Sequence, residues 1–123
     1  MQLRLDSGDS NFTIHGYGEG WITVNNQDLR HSIVVMPDRL ITDWTPQSFS
    51  DLEPCHFDRV VEMKPEIVLL GTGARQRFPP PSLTRALADQ GIGVEIMDTG
   101  SACRTYTIIM AEGRRVAAAL LII

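Results

Sequence analysis

The sequence predicts an α/β fold of three layers, in which an N-terminal antiparallel β layer packs with a mixed, mostly parallel sheet flanked by helices. Three observations carry that expectation. Residues 66–73, Glu-Ile-Val-Leu-Leu-Gly-Thr-Gly, run a short apolar strand into a glycine turn, and residues 93–100, Gly-Val-Glu-Ile-Met-Asp-Thr-Gly, do the same. Residues 82–90 between them read as a helix, so the three form a unit whose strands lie side by side and parallel. The chain then closes on Val-Ala-Ala-Ala-Leu-Leu-Ile-Ile at 116–123, which has no polar side chain, as a strand covered on both faces requires.

Taken in order, the first part reads as β. Residues 12–15 and 21–24 are rich in strand formers and are separated by Gly-Tyr-Gly-Glu-Gly, where the backbone bends or bulges. Asn25-Asn26 suits a tight hairpin turn. Residues 31–36 and 40–44 follow as strands broken by Pro37-Asp38, giving an antiparallel meander of three to five strands. Pro54 suits the first position of a helix. Phe57, Val60 and Val61 then share one buried stripe, and Pro65 ends that helix. Strand 66–70 follows. Loop 71–81 is long for a strand-to-helix connection and carries Arg75, Arg77 and Phe78 before Pro79-Pro80-Pro81. Leu83, Ala86 and Leu87 give the next helix its apolar stripe, and Gly91 stops it. After strand 93–97, Asp98 or Thr99 caps a third helix running to about Glu112, with Ala102, Tyr106, Ile109 and Met110 on one face. Gly113 terminates that helix before the last strand, 115–123.

At 123 residues, with 43% hydrophobic and 21% charged side chains, the chain is expected to form a single domain, 1–123, with one proper core. A net charge of −4 argues against a dedicated nucleic-acid binder, so no nucleic-acid partner is expected. The charge is uneven, at −6 over residues 1–63 and +2 over residues 64–123. The basic half suits an anionic ligand, although an ordinary solvated surface is the simpler account. Cys55 and Cys103 lie far apart in no metal-type spacing, and free thiols in a reducing compartment are expected. Met-Gln-Leu-Arg-Leu-Asp at the N-terminus has no apolar signal core. The longest apolar run has eight residues, against roughly 20 for a membrane helix. A cytoplasmic location without membrane insertion is therefore expected.

The chemistry-bearing residues gather at the two glycine turns. Parallel pairing brings both turns to one sheet edge, where open α/β sheets hold ligands. Gly71-Thr72-Gly73 matches neither the phosphate-loop pattern nor the dinucleotide fingerprint, because Gln76 and Arg77 stand where those patterns need other residues. No cofactor is therefore expected. Backbone N–H groups of the turn, with Arg75 and Arg77, suit an anion. Asp98-Thr99-Gly100-Ser101 sits at the neighbouring strand end; helix capping accounts for it, and an aspartic-protease reading fails without a second carboxylate motif. Cys103, in the first turns of the third helix beside Arg104, is the candidate nucleophile. A catalytic cysteine also wants a histidine base, and His15, His31 and His56 show no telling spacing to it. His15, Tyr17 and Trp44 are candidates to line the cleft from the β layer. Cys55-His56 lacks the further ligands of a zinc site, so no metal is expected.

The run Pro65-Glu66-Ile67-Val68-Leu69-Leu70-Gly71-Thr72-Gly73 and the later Asp98-Thr99-Gly100-Ser101-Ala102-Cys103-Arg104-Thr105-Tyr106 together resemble the signature of an uncharacterised family, domain of unknown function 498. That family is related to mitochondrial complex I assembly factor 3. The closing Ala111-Glu112-Gly113-Arg114-Arg115-Val116-Ala117-Ala118-Ala119-Leu120 fits it too. So does the segment from Gly16-Tyr17-Gly18 to Val24-Asn25, with Trp44 after it. The resemblance spans nearly the whole chain. It implies a three-layer α/β domain and a binding role rather than an enzyme, since the mitochondrial relatives help to assemble the respiratory NADH dehydrogenase. It supplies no agreed catalytic residues.

Two functions follow as expectations. One is a non-catalytic interaction or assembly module with a protein partner still to be identified. The other is a protein or enzyme acting on a small anionic ligand at the shared strand edge. In that case Gly71, Thr72, Gly73, Arg75, Arg77, Asp98, Thr99 and Arg104 form the pocket, with Cys103 as nucleophile.

Overall fold

Burial on one face or on two decides how the strands divide between two sheets in a computed structural model of the chain, which describes residues 2–4 and 11–123. The strands are β1 (Gln2–Arg4), β2 (Ile14–Gly18), β3 (Trp21–Val24), β4 (Gln27–Leu29), β5 (Ile33–Met36), β6 (Arg39–Ile41), β7 (Ile67–Gly71), β8 (Gly93–Met97) and β9 (Val116–Leu120). The helices are α1 (Asp58–Glu62), α2 (Arg85–Asp89) and α3 (Thr99–Ala111), with 3-10 turns at Phe49–Asp51, Pro54–Phe57 and Pro81–Leu83.

The expected N-terminal meander is split. Strands β2, β3 and β4 form a small antiparallel sheet. Strands β5 and β6 leave it for a six-stranded sheet of order β1-β6-β5-β9-β7-β8. The reason lies in the side chains. β3 buries every second residue, as a one-faced sheet needs, whereas all four residues of β5 are buried and require cover on both sides. The two-residue turns at Asn25-Asn26 and Pro37-Asp38 set the registers Val24↔Gln27 and Met36↔Arg39. Asn25 takes the positive φ of 53° that suits its residue type. The glycine-rich stretch continues strand β2 through a bulge between Ile14 and Gly16 rather than interrupting it.

The large sheet is mixed. β7 pairs parallel with both β8 and β9, and β9 pairs antiparallel with β5. The last strand therefore runs with one neighbour and against the other, and lies in the middle of the sheet.

That sheet separates two cores. On one face Val116, Ala118 and Leu120 of β9 meet Ala102, Cys103 and Tyr106 of α3, with Ile14, Ile22 and Val24 of the small sheet beside them. On the other face Ala117, Ala119 and Leu121 meet Trp44, Phe57, Val60 and Leu87, which belong to or flank the short helices. Small alanine side chains along β9 let both outer layers approach the backbone closely. Tyr106 ties α3 to the β layer by donating its hydroxyl to the Phe12 carbonyl at 2.7 Å. Strand β6 stops at Ile41, so Trp44 lies beyond it. Its indole N–H donates to the His56 carbonyl at 2.9 Å, and its ring packs edge-on to Phe57. The expected helix over 82–90 is a 3-10 turn followed by α2, and the stripe it shares narrows to Leu87, which is fully buried. Among the described residues no helix is long and apolar enough to cross a membrane.

Candidate functional site

The two glycine turns do open side by side. Gly71 pairs with Met97 at the ends of β7 and β8, the Thr72 N–H donates to the Met97 carbonyl at 2.9 Å, and the Thr99 N–H donates to the Gly73 carbonyl at 2.9 Å. Thr99 opens α3 and is fully buried. Its hydroxyl accepts the Gly73 N–H at 2.8 Å and donates to the Leu121 carbonyl at 2.7 Å. Thr72, also buried, donates its hydroxyl to the Arg75 carbonyl at 2.6 Å and accepts the Arg77 N–H at 3.1 Å. A Cβ at Gly71 would lie 3.0 Å from the Thr99 backbone, so glycine lets α3 approach the strand closely there. Gly73 has φ +98°, a conformation other residues rarely adopt.

These bonds alter the reading of the turn as an anion cradle. The N–H groups of Thr72 and Gly73 are already used inside the chain, so the turn works as a joint between β7, α3 and the segment after β9. Those two N–H groups cannot also serve an anion at this rim. Arg75 and Arg77 are both exposed beside it. With Gln47, Ser48, Phe49, Thr72, Gly73 and the residues after β9 they line a cleft of about 350 Å³. The Arg77 guanidinium sits 4.4 Å from the centre of the Phe49 ring. Neither arginine has an ion-pair partner among the described residues. Sequence reasoning missed Phe49, Gln47 and Ser48, since no periodicity links that segment to the glycine turn.

Asp98 caps α3. Its carboxylate accepts the Ser101 N–H and the Ser101 hydroxyl, each at 2.8 Å. The Ser101 N–H bond above all holds the carboxyl below the usual range, helped by the Ser101 hydroxyl and the Arg104 charge; partial burial pushes the other way. Arg104 faces away from the cleft. It donates to the Tyr17 hydroxyl and, at 3.1 Å, to Ser101 Oγ, and its guanidinium lies 5.9 Å from the Tyr17 ring centre. Gly100 leaves room for that ring, since a Cβ there would come within 2.8 Å of it.

The nucleophile reading of Cys103 does not fit its surroundings. The residue is 2% exposed, and burial pushes its thiol up to about 12, with only a weaker opposing pull from Arg104. His15 and Tyr17 share a cavity of about 140 Å³ with Cys103 and Arg104, between β2 and α3. His15, however, is bonded through Nε2 to Thr13 Oγ1 at 2.7 Å. His56 accepts the Glu53 N–H at 2.9 Å, and His31 is 3.2 Å from the Ser32 carbonyl. Trp44 lies in the opposite core with Phe57 and does not line the cleft. Cys55 is exposed, and both cysteines are free. The sequence-predicted residues thus form two groups: Gly71, Thr72, Gly73, Arg75 and Arg77 with Thr99 at the rim, and Arg104 and Cys103 with Tyr17 beneath the small sheet. Asp98 bridges the two.

Relatives share this frame. A crystal structure of a protein from Bordetella parapertussis superposes with a TM-score of 0.88 at 39% identity, covering 94% of this chain and 99% of that one. The NADH dehydrogenase [ubiquinone] 1 alpha subcomplex assembly factor 3 of Bos taurus is 32% identical over 110 residues, covering 88% of this chain. The chain spans 59% of the length of that relative. A protein of Francisella tularensis named 13 kDa major membrane protein is 27% identical over 101 residues, covering 81% of this chain and 82% of its own. Residues 14–121 match the sequence model of the family described as protein of unknown function (DUF498/DUF598), and the chain belongs to that family.

Proposed function

We propose that this chain is a non-catalytic interaction module that binds a protein partner during assembly of a respiratory NADH dehydrogenase. The observation that carries the reading is the 32% identity to an assembly factor of that complex, over 88% of this chain. The rim agrees with it. Thr72 spends its polar groups on Arg75, Arg77 and Met97, Thr99 bonds Gly73 and Leu121, and the Cys103 thiol is buried and neutral, so the residues most suggestive of chemistry hold the fold together. The test is deletion of the gene in its own host, with the NADH dehydrogenase followed on native gels. Loss of assembled complex with accumulation of subassemblies is expected; unchanged assembly overturns the reading. The reading also places the chain in the cytoplasm. Cell fractionation checks this, and recovery with membranes, as the name of the Francisella relative implies for that protein, would move it.

A second reading is favoured by one feature, the cleft of about 350 Å³ beside two exposed arginines that have no ion-pair partner among the described residues. It is a site for a small anionic ligand held by the Arg75 and Arg77 guanidiniums against Phe49. Thermal-shift screening of phosphates, nucleotides and carboxylates tests it. A ligand at 100 times its dissociation constant stabilises the fold by roughly 2.7 kcal/mol. A shift lost in the Arg75→Ala/Arg77→Ala variant supports the site, and a shift that survives the exchange removes it.

A further inference from the structure

The cleft beside the glycine turn joins two kinds of lining. Arg75 and Arg77 bring positive charge with no ion-pair partner among the described residues. Phe49, Ile122 and Ile123 bring apolar surface, and each is only half-buried. Among the described residues no carboxylate lines the cleft; Asp51, close by in the chain, accepts the Gln47 N–H at 3.2 Å.

The hydrogen-bond donors narrow the choice of anion. A phosphate chain wants a row of free backbone N–H groups, as at a glycine loop or a helix start. Here the N–H groups of Thr72, Gly73 and Arg77 are bonded within the chain. At the start of α3 so are those of Thr99, Ser101 and Ala102. Ala74 and Arg75, next in the turn, keep N–H groups without a partner among the described residues, enough for one small oxyanion. The Phe49 ring is a poor platform for a nucleobase. It packs against the core, and the Arg77 guanidinium covers it at 4.4 Å from its centre. That contact is made over the ring and leaves guanidinium N–H groups for the two oxygens of a carboxylate.

We propose that the cleft takes a carboxylate on a short aliphatic stem, its oxygens on Arg75 and Arg77 and its stem against Ile122 and Ile123. The proposal rests on the anionic-ligand reading above and names the class of ligand. A free short-chain acid and the C-terminal residue of a polypeptide share that chemistry. At about 350 Å³ the cleft lies at the small end of ligand pockets, which run from roughly 300 to 1,000 Å³. A chain end fits it and a folded element does not.

The test is a titration of the isotope-labelled full chain, read at the amides of Phe49, Ala74, Arg75 and Ile123. Isocaproate should give saturable shifts there. Isocaproamide keeps the stem without the charge, and acetate keeps the charge without the stem; each should bind at least tenfold more weakly. Arg75→Ala and Arg77→Ala lie at exposed positions, should keep the fold, and should each weaken isocaproate several-fold. Arg77→Lys keeps the charge, loses the planar fork and should weaken it as well. Ile123→Ser should weaken isocaproate and leave acetate unchanged. The peptide Gly-Ser-Gly-Val-Leu with a free C-terminus separates the two sources. Tighter binding than isocaproate assigns the site to a protein chain end, and weaker binding assigns it to a free acid. Inorganic phosphate or adenosine monophosphate that binds through the same arginines as tightly as isocaproate overturns the carboxylate class and leaves the anionic-ligand reading standing. Acetate that binds as tightly as isocaproate does the same. Both fall if isocaproamide matches isocaproate, if the shifts survive both arginine exchanges, or if no anion gives a saturable shift.

Discussion

The Thr99 hydroxyl accepts the N–H of Gly73 at 2.8 Å in a position fully closed to solvent. The same oxygen donates to the Leu121 carbonyl, so one side chain joins the turn after β7, the start of α3 and the exit of β9. Thr99→Val keeps the shape and leaves a buried N–H and a buried carbonyl unsatisfied. The expected cost is about 2–4 kcal/mol in urea unfolding, whereas Thr99→Ser keeps the hydroxyl and should lose far less.

Asp98 gives the rim a pH dependence. Its folded carboxyl lies below the ordinary value, chiefly because of the Ser101 N–H, while the unfolded chain titrates near 3.9. A lowered folded pKa means that the stabilisation is complete above the unfolded value and is lost as pH falls through the folded one. Asp98→Ala should cost about 1 kcal/mol at pH 7. The gap from the parent protein should shrink steadily below about pH 4. A gap that stays constant between pH 7 and pH 3 would show that charge plays no part in the cap.

The parallel unit was legible because each of its parts is local. Residues 67–70 are uniformly apolar, Gly71 and Gly73 punctuate them, and the Val94 and Ile96 strand repeats the design within thirty residues. The split of the N-terminal strands was written in Ile33-Val34-Val35-Met36, a run with no polar face, yet which sheet accepts such a run depends on β9, more than eighty residues later. The site was legible only as a place. Thr99, Arg104 and Arg77 stand near the two turns, but what each does depends on Leu121, Tyr17 and Phe49 respectively, and spacing along the chain carries no trace of those contacts.

Gly71 offers a second test of the joint, independent of hydrogen bonding. A methyl group there would stand 3.0 Å from both the Thr99 Cα and a Leu120 methyl, and the Thr99 backbone has no freedom to withdraw without breaking its bonds. Gly71→Ala should destabilise by about 1–3 kcal/mol through overpacking. Gly91→Ala provides the contrast. No atom lies near its added Cβ, and φ +73° alone sets the penalty. Equal losses in the two variants would mean that backbone freedom, and not the close approach of α3, keeps Gly71 a glycine.

The two thiols should separate cleanly. Cys55 is exposed, so a disulfide reagent at pH 8 should modify it in the native protein within the time ordinary thiols take. Cys103 is 2% exposed and its thiol is pushed up to about 12 by burial, so almost no thiolate exists at that pH and no reagent reaches it. It should react only as the protein opens, with a rate that stops rising as reagent is added. Cys103→Ala removes a small buried side chain and should leave partner binding unchanged, because the thiol faces the core between α3 and the small sheet. Fast, pH-dependent modification of Cys103 in the folded protein would restore it as a nucleophile and would bring the enzyme reading back.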